Sequence, residues 1–303
     1  MINSVAMSGS TSALRPATAA AEASAGRGMA LTFIALCVTL VTSVAFARPF
    51  DDVIDSGKLT VFVYSDYAPY SWQEGDEYKG IDVDIAREFG RELGVEIELL
   101  MRGADENIDD DLRLNVWKGD LIHRRAADVM MHVPYDREVD VRNEFAVLMA
   151  PYFEEQMGLV VDADVMPEVP TFARFTSRPI AVELDTVGDF FLSNAFRGQL
   201  HNSIRRGRTF ASAVDLYKTG ATPALMGSLA QAEWVAHVAG RNSYTAQPPM
   251  PGIVRRYWPV GIAIKHDSRD LGYALADVLA ALVESGRMAE ITASYGVEYR
   301  PPR

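Results

Sequence analysis

Residues 58–94, KLTVFVYSDYAPYSWQEGDEYKGIDVDIAREFGRELG, contain in order the signals of a strand, an aromatic loop, a turn and a helix. Residues 59–63 form a β-branched and aromatic run that predicts a buried strand. Pro69 cannot continue a strand ladder, so we expect the strand to end before it. Asp82 or Asp84 is predicted to begin the helix, and Gly94 to close it. The stretch therefore predicts one strand–loop–helix unit of an α/β sheet.

The loop of this unit carries more aromatic surface than a simple connection needs. Tyr67, Tyr70 and Trp72 follow the strand closely, and ligands usually bind at the carboxyl ends of strands in α/β sheets. The alternative interpretation places one or two of these rings in the core. We interpret Asp82 and Asp84 as structural caps.

The composition is that of a globular protein and excludes some classes of partner. The chain has 303 residues, 49% hydrophobic residues and a formal net charge of −12, so it is long enough for two domains. An acidic chain without a basic stripe is a poor binder of nucleic acid and of anionic lipid. We therefore expect neither partner.

The N-terminal region has the pattern of a secretory signal. Arg27 precedes an apolar run at residues 29–46, and residues 45–47 read A-F-A, which predicts a signal peptide at 1–47 with cleavage after Ala47. A retained membrane anchor is the alternative. Cys37, the sole cysteine, lies inside this run after Leu36, which disfavours lipid attachment. The mature chain would then lack disulfides and thiol chemistry.

A second strand–loop–helix unit begins near residue 180. Residues 180–186, IAVELDT, repeat the pattern, and Asp185 and Thr186 are placed to cap a helix. Between the two units, residues 145–152 form an apolar run that we expect Pro151 to stop, and residues 158–161 predict a separate short strand. Strands that alternate with helices predict an α/β fold with mostly parallel sheets. Because the pattern starts twice, we expect two lobes.

Motifs of common enzymes and metal sites are absent from the sequence. GxSxG, HExxH, GxxxxGK[ST] and GxGxxG do not occur, and the five histidines lack partners at ligand spacing. The acidic segment 105–111 predicts a helix start, and a metal loop is the alternative. His132, in an apolar run, is interpreted as a core histidine. We predict no cofactor, no metal and no catalytic residue.

The order of several short segments resembles the family 3 extracellular solute-binding proteins. These segments are GKLTV at 57–61, YAPYS at 67–71 and GIDVDIA at 80–86, followed by ADV at 127–129, APY at 150–152 and PVGIAIK at 259–265. The resemblance covers nearly all of the mature chain. It implies a type II periplasmic binding protein-like fold, in which each of two lobes is a mostly parallel sheet flanked by helices.

The resemblance also implies a function and a division of the chain. The expected protein is a monomeric periplasmic receptor that closes on a small polar ligand and serves an ABC permease. Lobe 1 would comprise 48–155 plus 262–303 and lobe 2 would comprise 156–261, with crossings near Glu155 and Gly261. The residues predicted to bind the ligand are Asp66, Tyr67, Tyr70, Trp72, His132, Tyr135, Arg137, Thr186 and Ser228. Arg137 lies near the place of the family's carboxylate-clamping arginine, and Thr186 matches the helix start that touches the same carboxylate.

Two departures from the family pattern leave other interpretations open. The segment 132–137, HVPYDR, is bulkier than the family's hydroxyl-rich segment, and Gly227 and Ser228 stand where an acidic residue would hold an α-ammonium group. An unpaired ammonium would be costly to bury. Residues 128–134, DVMMHVP, also resemble the branch associated with quinoprotein (methanol-type) dehydrogenases, whose members would act as accessory proteins of the dehydrogenase or its cytochrome. A dehydratase-like enzyme using Glu183 or Asp66 is a third interpretation.

Overall fold

The computed structural model describes residues 49–120, 124–253 and 255–303. The predicted signal peptide at 1–47 lies outside these residues. Within them, no helix combines the length and the apolar character needed to cross a membrane.

The described residues contain eleven strands, most of which belong to one continuous sheet. The strands are β1 (Lys58–Tyr64), β2 (Trp72–Glu74), β3 (Glu77–Lys79), β4 (Glu96–Arg102), β5 (Val129–Pro134), β6 (Ala146–Asp162), β7 (Ile180–Glu183), β8 (Ile204–Gly207), β9 (Ala224–Ser228), β10 (Ser243–Ala246) and β11 (Tyr257–Lys265). Strands β2 and β3 form a separate antiparallel hairpin.

The same residues contain nine α-helices that flank the sheet. They are α1 (Phe50–Ser56), α2 (Ile81–Leu93), α3 (Ile108–Leu112), α4 (Arg137–Arg142), α5 (Val187–Asn194), α6 (Phe210–Lys218), α7 (Leu229–Val238), α8 (Arg269–Glu284) and α9 (Arg287–Ser294). A π-helical turn, Arg113–Trp117, follows α3, and three short 3-10 turns lie in the second half of the chain.

The sheet has two halves that are joined by β6. In the first half the order is β4-β1-β5-β11-β6, with β1 parallel to β4 and β5. In the second half β6 is followed by β9, β7 and β8, and these three strands are parallel to one another. Strand β6 pairs with β11 up to Gln156 and with β9 from Met157 onward. One long strand therefore serves both halves.

Each half has its own apolar core. In the first half, side chains of β1, α2 and α8, including Val61, Phe89 and Leu275, form one buried cluster. In the second half, Leu159 of β6 and Val182 of β7 belong to another. At roughly 25 cal/mol per Å² of apolar surface removed from water, burial of this kind is the main stabilisation of each half. The sheet and its flanking helices form two lobes.

The prediction that Pro151 stops a strand is wrong. Residues 146–162 form one strand of 17 residues, and Pro151 lies within it. The register between β6 and β11 shifts between Val260 and Ile262, so Pro151 lies at an irregularity where its missing N–H is tolerated. Gly261 makes this bulge possible, because a Cβ there would lie 2.6 Å from the carbonyl oxygen of Met149.

The predicted start of α2 at Asp82 or Asp84 is also wrong. The N-cap is Gly80, whose φ of 130° is accessible to few other residues, and a Cβ there would lie 2.1 Å from the carbonyl oxygen of Tyr70. Asp82 is instead buried, and Asp84 accepts a hydrogen bond from the hydroxyl of Tyr295 at 2.7 Å. Gly94 ends the helix in the left-handed conformation, as the sequence predicts.

Candidate functional site

A cavity of about 540 Å³ opens between the two lobes. Its wall on the first lobe comes from the segments that follow β1 and β4 and from the end of β5, and its wall on the second lobe from the end of β7 and the segment after it. Trp258 and Val260 of β11 complete the lining. Since β1, β4 and β5 are parallel, their carboxyl ends meet at one edge, where ligands of α/β proteins usually bind.

A second cavity of about 130 Å³ adjoins the first on the side of lobe 2. The two share four lining residues, Tyr67, Glu183, Thr186 and Trp258. Ser228 and Gln231, at the start of α7, line the smaller cavity. We refer to the two cavities together as the cleft.

The loop at 65–71 is closed on itself and places its two tyrosines at different depths. The N–H of Tyr67 donates to the carbonyl of Ser71 at 2.8 Å, and the hydroxyl of Ser71 donates to the carbonyl of Tyr64 at 2.6 Å. Tyr67 lines both cavities. Tyr70 has no exposed surface and packs on His132 with ring centroids 4.0 Å apart. The loop thus presents Tyr67 to the cleft and buries Tyr70 beneath it.

A buried polar cluster lies behind the cleft and is centred on His132. Its Nδ1 lies 3.2 Å from Oδ2 of Asp82, and its Nε2 lies 3.8 Å from Oε1 of Glu155. The hydroxyl of Tyr152 donates to Oδ1 of Asp82 at 2.6 Å and accepts from the backbone N–H of His132 at 3.1 Å. The cluster therefore connects α2, β5 and β6.

The backbone of His132 adopts a conformation that is uncommon for a residue with a side chain. Its φ is 59°, in the left-handed region. The register between β5 and β11 shifts at this point, with Gly261 opposite Val133 and Ala263 opposite Met130. His132 therefore occupies the bulge position where glycine is the ordinary choice. A residue held in this region costs on the order of 1–3 kcal/mol and persists only where the surrounding structure fixes its conformation.

Burial shifts the pKa of several acidic groups in and behind the cleft. Burial raises the pKa of Glu155, against the opposing effects of His132, Tyr70 and Ser228. Burial also raises the pKa of Tyr67 well above its usual value, and Glu155, Asp82 and Glu183 add to that effect. The pKa of Glu183 is raised by burial and by repulsion from Asp66, while the backbone N–H of Phe210 opposes the shift.

Helix starts on lobe 2 provide the remaining polar groups of the cleft. Thr186 caps α5 by accepting from the N–H of Asp189 at 3.3 Å, as its sequence position predicts. Ser228 caps α7 in a reciprocal pair, accepting from the N–H of Gln231 at 3.2 Å and donating its own N–H to Oε1 of Gln231 at 3.0 Å. Both hydroxyls are thus fixed in place at the cleft wall.

The structure brings five of the nine predicted site residues to the cleft. Asp66, Tyr67, His132 and Thr186 line the larger cavity, and Ser228 lines the smaller one.

The other four lie outside the lining. Tyr70 is in the core, because the 65–71 loop turns it inward. Trp72 contacts Trp234 and Tyr295, with ring centroids 5.7 Å away in each case. Tyr135 and Arg137 are exposed at the start of α4.

Several cleft residues were not predicted as ligand contacts. Asp111 accepts from the hydroxyl of Tyr64 at 2.8 Å and reaches the larger cavity because α3 follows the carboxyl end of β4. Trp258 is part of the cleft lining because its strand, β11, lies between β5 and β6 in the sheet. Glu183 entered the sequence interpretation only as a catalytic candidate. An aromatic residue just before the predicted last strand is the one local signal that could have indicated Trp258.

Metal coordination finds no support within the described ranges. No group of three or more His, Cys, Asp or Glu side chains there is arranged to hold a metal ion. Asp82, His132 and Glu155 do not form such a group, because the imidazole lies between the two carboxylates.

The sequence model of the bacterial extracellular solute-binding proteins, family 3, matches residues 59–298. The chain belongs to this family. Its fold is the two-lobed type II periplasmic binding protein fold, and the family match spans both lobes. No curated protein matches the chain.

Solved structures of binding proteins share the fold at low sequence identity. The ancestral cationic amino acid solute-binding protein AncCDT-1 is 20% identical with a TM-score of 0.64, over 81% of this chain and 98% of that one. An amino acid ABC transporter substrate-binding protein from Streptococcus pneumoniae bound to L-arginine is 20% identical with a TM-score of 0.59, over 82% and 98%. Holo ArgBP from T. maritima is 22% identical with a TM-score of 0.53, over 81% and 99%.

Proposed function

We propose that this protein is a periplasmic solute-binding protein that captures a small polar molecule between its lobes and delivers it to an ABC permease. The observation that carries the proposal is the cleft, whose lining side chains come from both lobes. A ligand that contacts Tyr67 on one lobe and Thr186 on the other favours closure, because it binds the closed arrangement more strongly than the open one.

The proposal includes a division of the chain into lobes. Lobe 1 comprises 48–155 plus 262–303, and lobe 2 comprises 156–261. Its support is the exchange of partners along β6, from β11 to β9, between Gln156 and Met157. Closure would then bend β6 and β11 near Glu155 and Gly261.

Family membership supports the transport role, export through a signal peptide at 1–47 and a monomeric receptor without catalytic function. The solved structures that share its fold include an ancestral cationic amino acid solute-binding protein and a substrate-binding protein of an amino acid ABC transporter, which is consistent with solute capture. The association with a quinoprotein dehydrogenase stays a prediction from sequence.

A thermal-shift screen with closure measured on the same samples tests the proposal. Purified mature protein is screened with amino acids, amines, organic acids, sugars and alcohols. A ligand at 100 times its Kd adds about 2.7 kcal/mol of stability, which corresponds to roughly 5–10 °C in Tm for a chain of this size. Small-angle scattering should show compaction with the same ligand.

Two control variants locate the binding. Tyr67→Ala should lose the shift, whereas Val141→Ala, at a residue that is 71% exposed on α4, should keep it. Stabilisation without compaction, or a screen in which no compound raises Tm, would contradict the proposed function.

A further inference from the structure

The charged groups of the cleft come from carboxylates on both lobes. Asp66 and Asp111 line the larger cavity from lobe 1, and Glu183 lines both cavities from lobe 2. Among the described residues, no lysine or arginine lines either cavity. An anionic ligand would therefore meet acidic groups on two sides without a counter-charge.

Asp66 and Glu183 line the larger cavity from opposite lobes. Asp66 lies in the loop after β1 and Glu183 at the end of β7, and repulsion from Asp66 contributes to the raised pKa of Glu183. In the part of the chain that the structure describes, neither carboxylate has a lysine or arginine within 4.0 Å. Lobe closure would bring these like charges closer at a cost that grows as water leaves.

The groups that could bind a ligand carboxylate are either hydrogen-bonded within the protein or lie outside the cleft lining. At the start of α5, the N–H of Asp189 is satisfied by Thr186, and Oδ2 of Asp189 accepts from the N–H of Asp185 at 3.2 Å. Asp189 in turn is paired with Arg206 at 2.7 Å. Arg137 is exposed and outside the lining. The helix start thus carries its own buried acid.

Aromatic surface in the cleft complements a positive charge. Tyr67 and Trp258 line both cavities, and the face of a tryptophan or tyrosine ring attracts an ammonium or guanidinium group. The Tyr67 hydroxyl stays protonated because burial raises its pKa. The ring therefore adds no charge of its own at neutral pH.

We infer that the cleft binds a small organic cation, an amine or guanidinium compound without a carboxylate, held by Asp66 and Glu183 and covered by Tyr67 and Trp258. The inference rests on the proposed function and specifies its ligand class. A cation between Asp66 and Glu183 offsets their repulsion, so a positively charged ligand favours closure of the lobes. A ligand carboxylate would meet Asp111 and Glu183 instead of a clamp.

The test compares ligands that differ in one group. Agmatine and L-arginine carry the same guanidinium, but only arginine has a carboxylate. Titration calorimetry of the mature protein at pH 7.5 also includes putrescine, choline, glutarate and glucose. We expect at least one carboxylate-free cation to bind, agmatine to bind at least 10-fold more tightly than L-arginine, and glutarate not to bind.

Matched variants assign the charge recognition to its residues. Asp66→Asn and Glu183→Gln keep the side-chain shape, and each should weaken cation binding at least 10-fold. Asp76→Asn, in the exposed turn between β2 and β3, should leave binding unchanged. Circular dichroism and Tm confirm that each variant is folded.

The outcomes separate this inference from the proposed function. Binding of glutarate or glucose with compaction, without binding of any cation, would overturn the cation inference and leave solute capture intact. Equal affinity for agmatine and L-arginine would overturn the exclusion of the carboxylate. Cation binding that depends on Glu183 but produces no compaction would support the ligand class and contradict capture by closure. Absence of binding by all six compounds would overturn the cation inference.

Discussion

The imidazole of His132 and the carboxylate of Asp82 are both buried and lie 3.2 Å apart, Nδ1 to Oδ2. The opposite ring nitrogen of His132 faces Glu155 at 3.8 Å. Asp82 lies on the buried face of α2, His132 lies within β5, and Glu155 lies on β6 next to the point where that strand passes from one lobe to the other. The cluster thus joins the core of lobe 1 to the strand that both lobes share.

Tyr152→Phe should destabilise the protein by about 1–3 kcal/mol, the range for buried groups left without a hydrogen bond. The substitution removes the hydroxyl that donates to Asp82 and accepts from the N–H of His132. Urea unfolding measures the change. Tyr299→Phe, which removes one hydroxyl bond to the carbonyl of Tyr152 at 3.1 Å, is the matched control and should cost less. Equal losses would show that the Tyr152 hydroxyl has no special role in the cluster.

Glu155→Gln should raise stability at pH 8 and flatten its dependence on pH. Because burial raises the pKa of Glu155 above its ordinary value of 4.5, the folded state binds the proton more tightly than the unfolded chain. The stability contributed by protonated Glu155 is fully present below the ordinary pKa of 4.5 and is lost as pH rises through the raised pKa of the folded state. Glutamine removes the buried charge, and we expect a gain of about 1–3 kcal/mol at pH 8.

Thermal unfolding between pH 4 and pH 9 measures this effect. Glu154→Gln is the matched control, since Glu154 is the adjacent buried glutamate and accepts from the side chain of Gln156 at 3.1 Å. If Glu155→Gln lowers Tm at pH 8, the attraction between Glu155 and His132 outweighs the cost of burying the carboxylate.

The sequence was sufficient for the fold class and for those elements whose signals are local. Strand β1, the end of α2 at Gly94 and the cap at Thr186 each depend on a few adjacent residues, and the structure confirms all three. Strand β6 was divided at Pro151 in the prediction, because proline normally ends a ladder. The bulge that admits it depends on Gly261, more than 100 residues away.

The site was harder to predict than the fold, for the same reason. Tyr67 and Tyr70 are three residues apart in one aromatic loop, and only the hydrogen bonds of that loop decide which ring reaches the cleft. Asp82 looked like a helix cap, but Gly80 takes that position and frees Asp82 to contact His132. Asp66 and Glu183 line the same cavity because of how the two lobes meet, which no local pattern contains.

Trp258→Phe should abolish most of the fluorescence change that ligand binding produces. Trp258 lines both cavities, whereas Trp72, Trp117 and Trp234, all within the described ranges, line neither. A ligand in the cleft alters the polarity around the Trp258 indole, so emission should shift or be quenched in the wild type. Trp117→Phe is the control, because Trp117 packs against Phe145 at a centroid distance of 4.9 Å, away from the cleft. An unchanged signal in Trp258→Phe would place the ligand elsewhere.

Arg300→Gln should destabilise the protein by about 2–4 kcal/mol, somewhat less than for a fully buried ion pair. Arg300 pairs with Glu233 of α7 through two bonds of 2.8 and 3.1 Å, and the two side chains are only 11% and 13% exposed. Its carbonyl also accepts from the N–H of Glu154 at 2.9 Å, so the C-terminal segment links α7 to β6. Removing the guanidinium leaves Glu233 with little solvent and no charge partner.

The matched control for this pair is Arg142→Gln. Arg142 pairs with Asp109 at 2.8 Å, but these side chains are 48% and 42% exposed. An exposed pair of this kind contributes about 0–1 kcal/mol, so urea unfolding should separate the two variants clearly. The double variant Arg300→Gln with Glu233→Gln should recover part of the loss, because it removes the uncompensated charge. If Arg300→Gln and Arg142→Gln lose the same amount of stability, a structural role for the C-terminal link is contradicted.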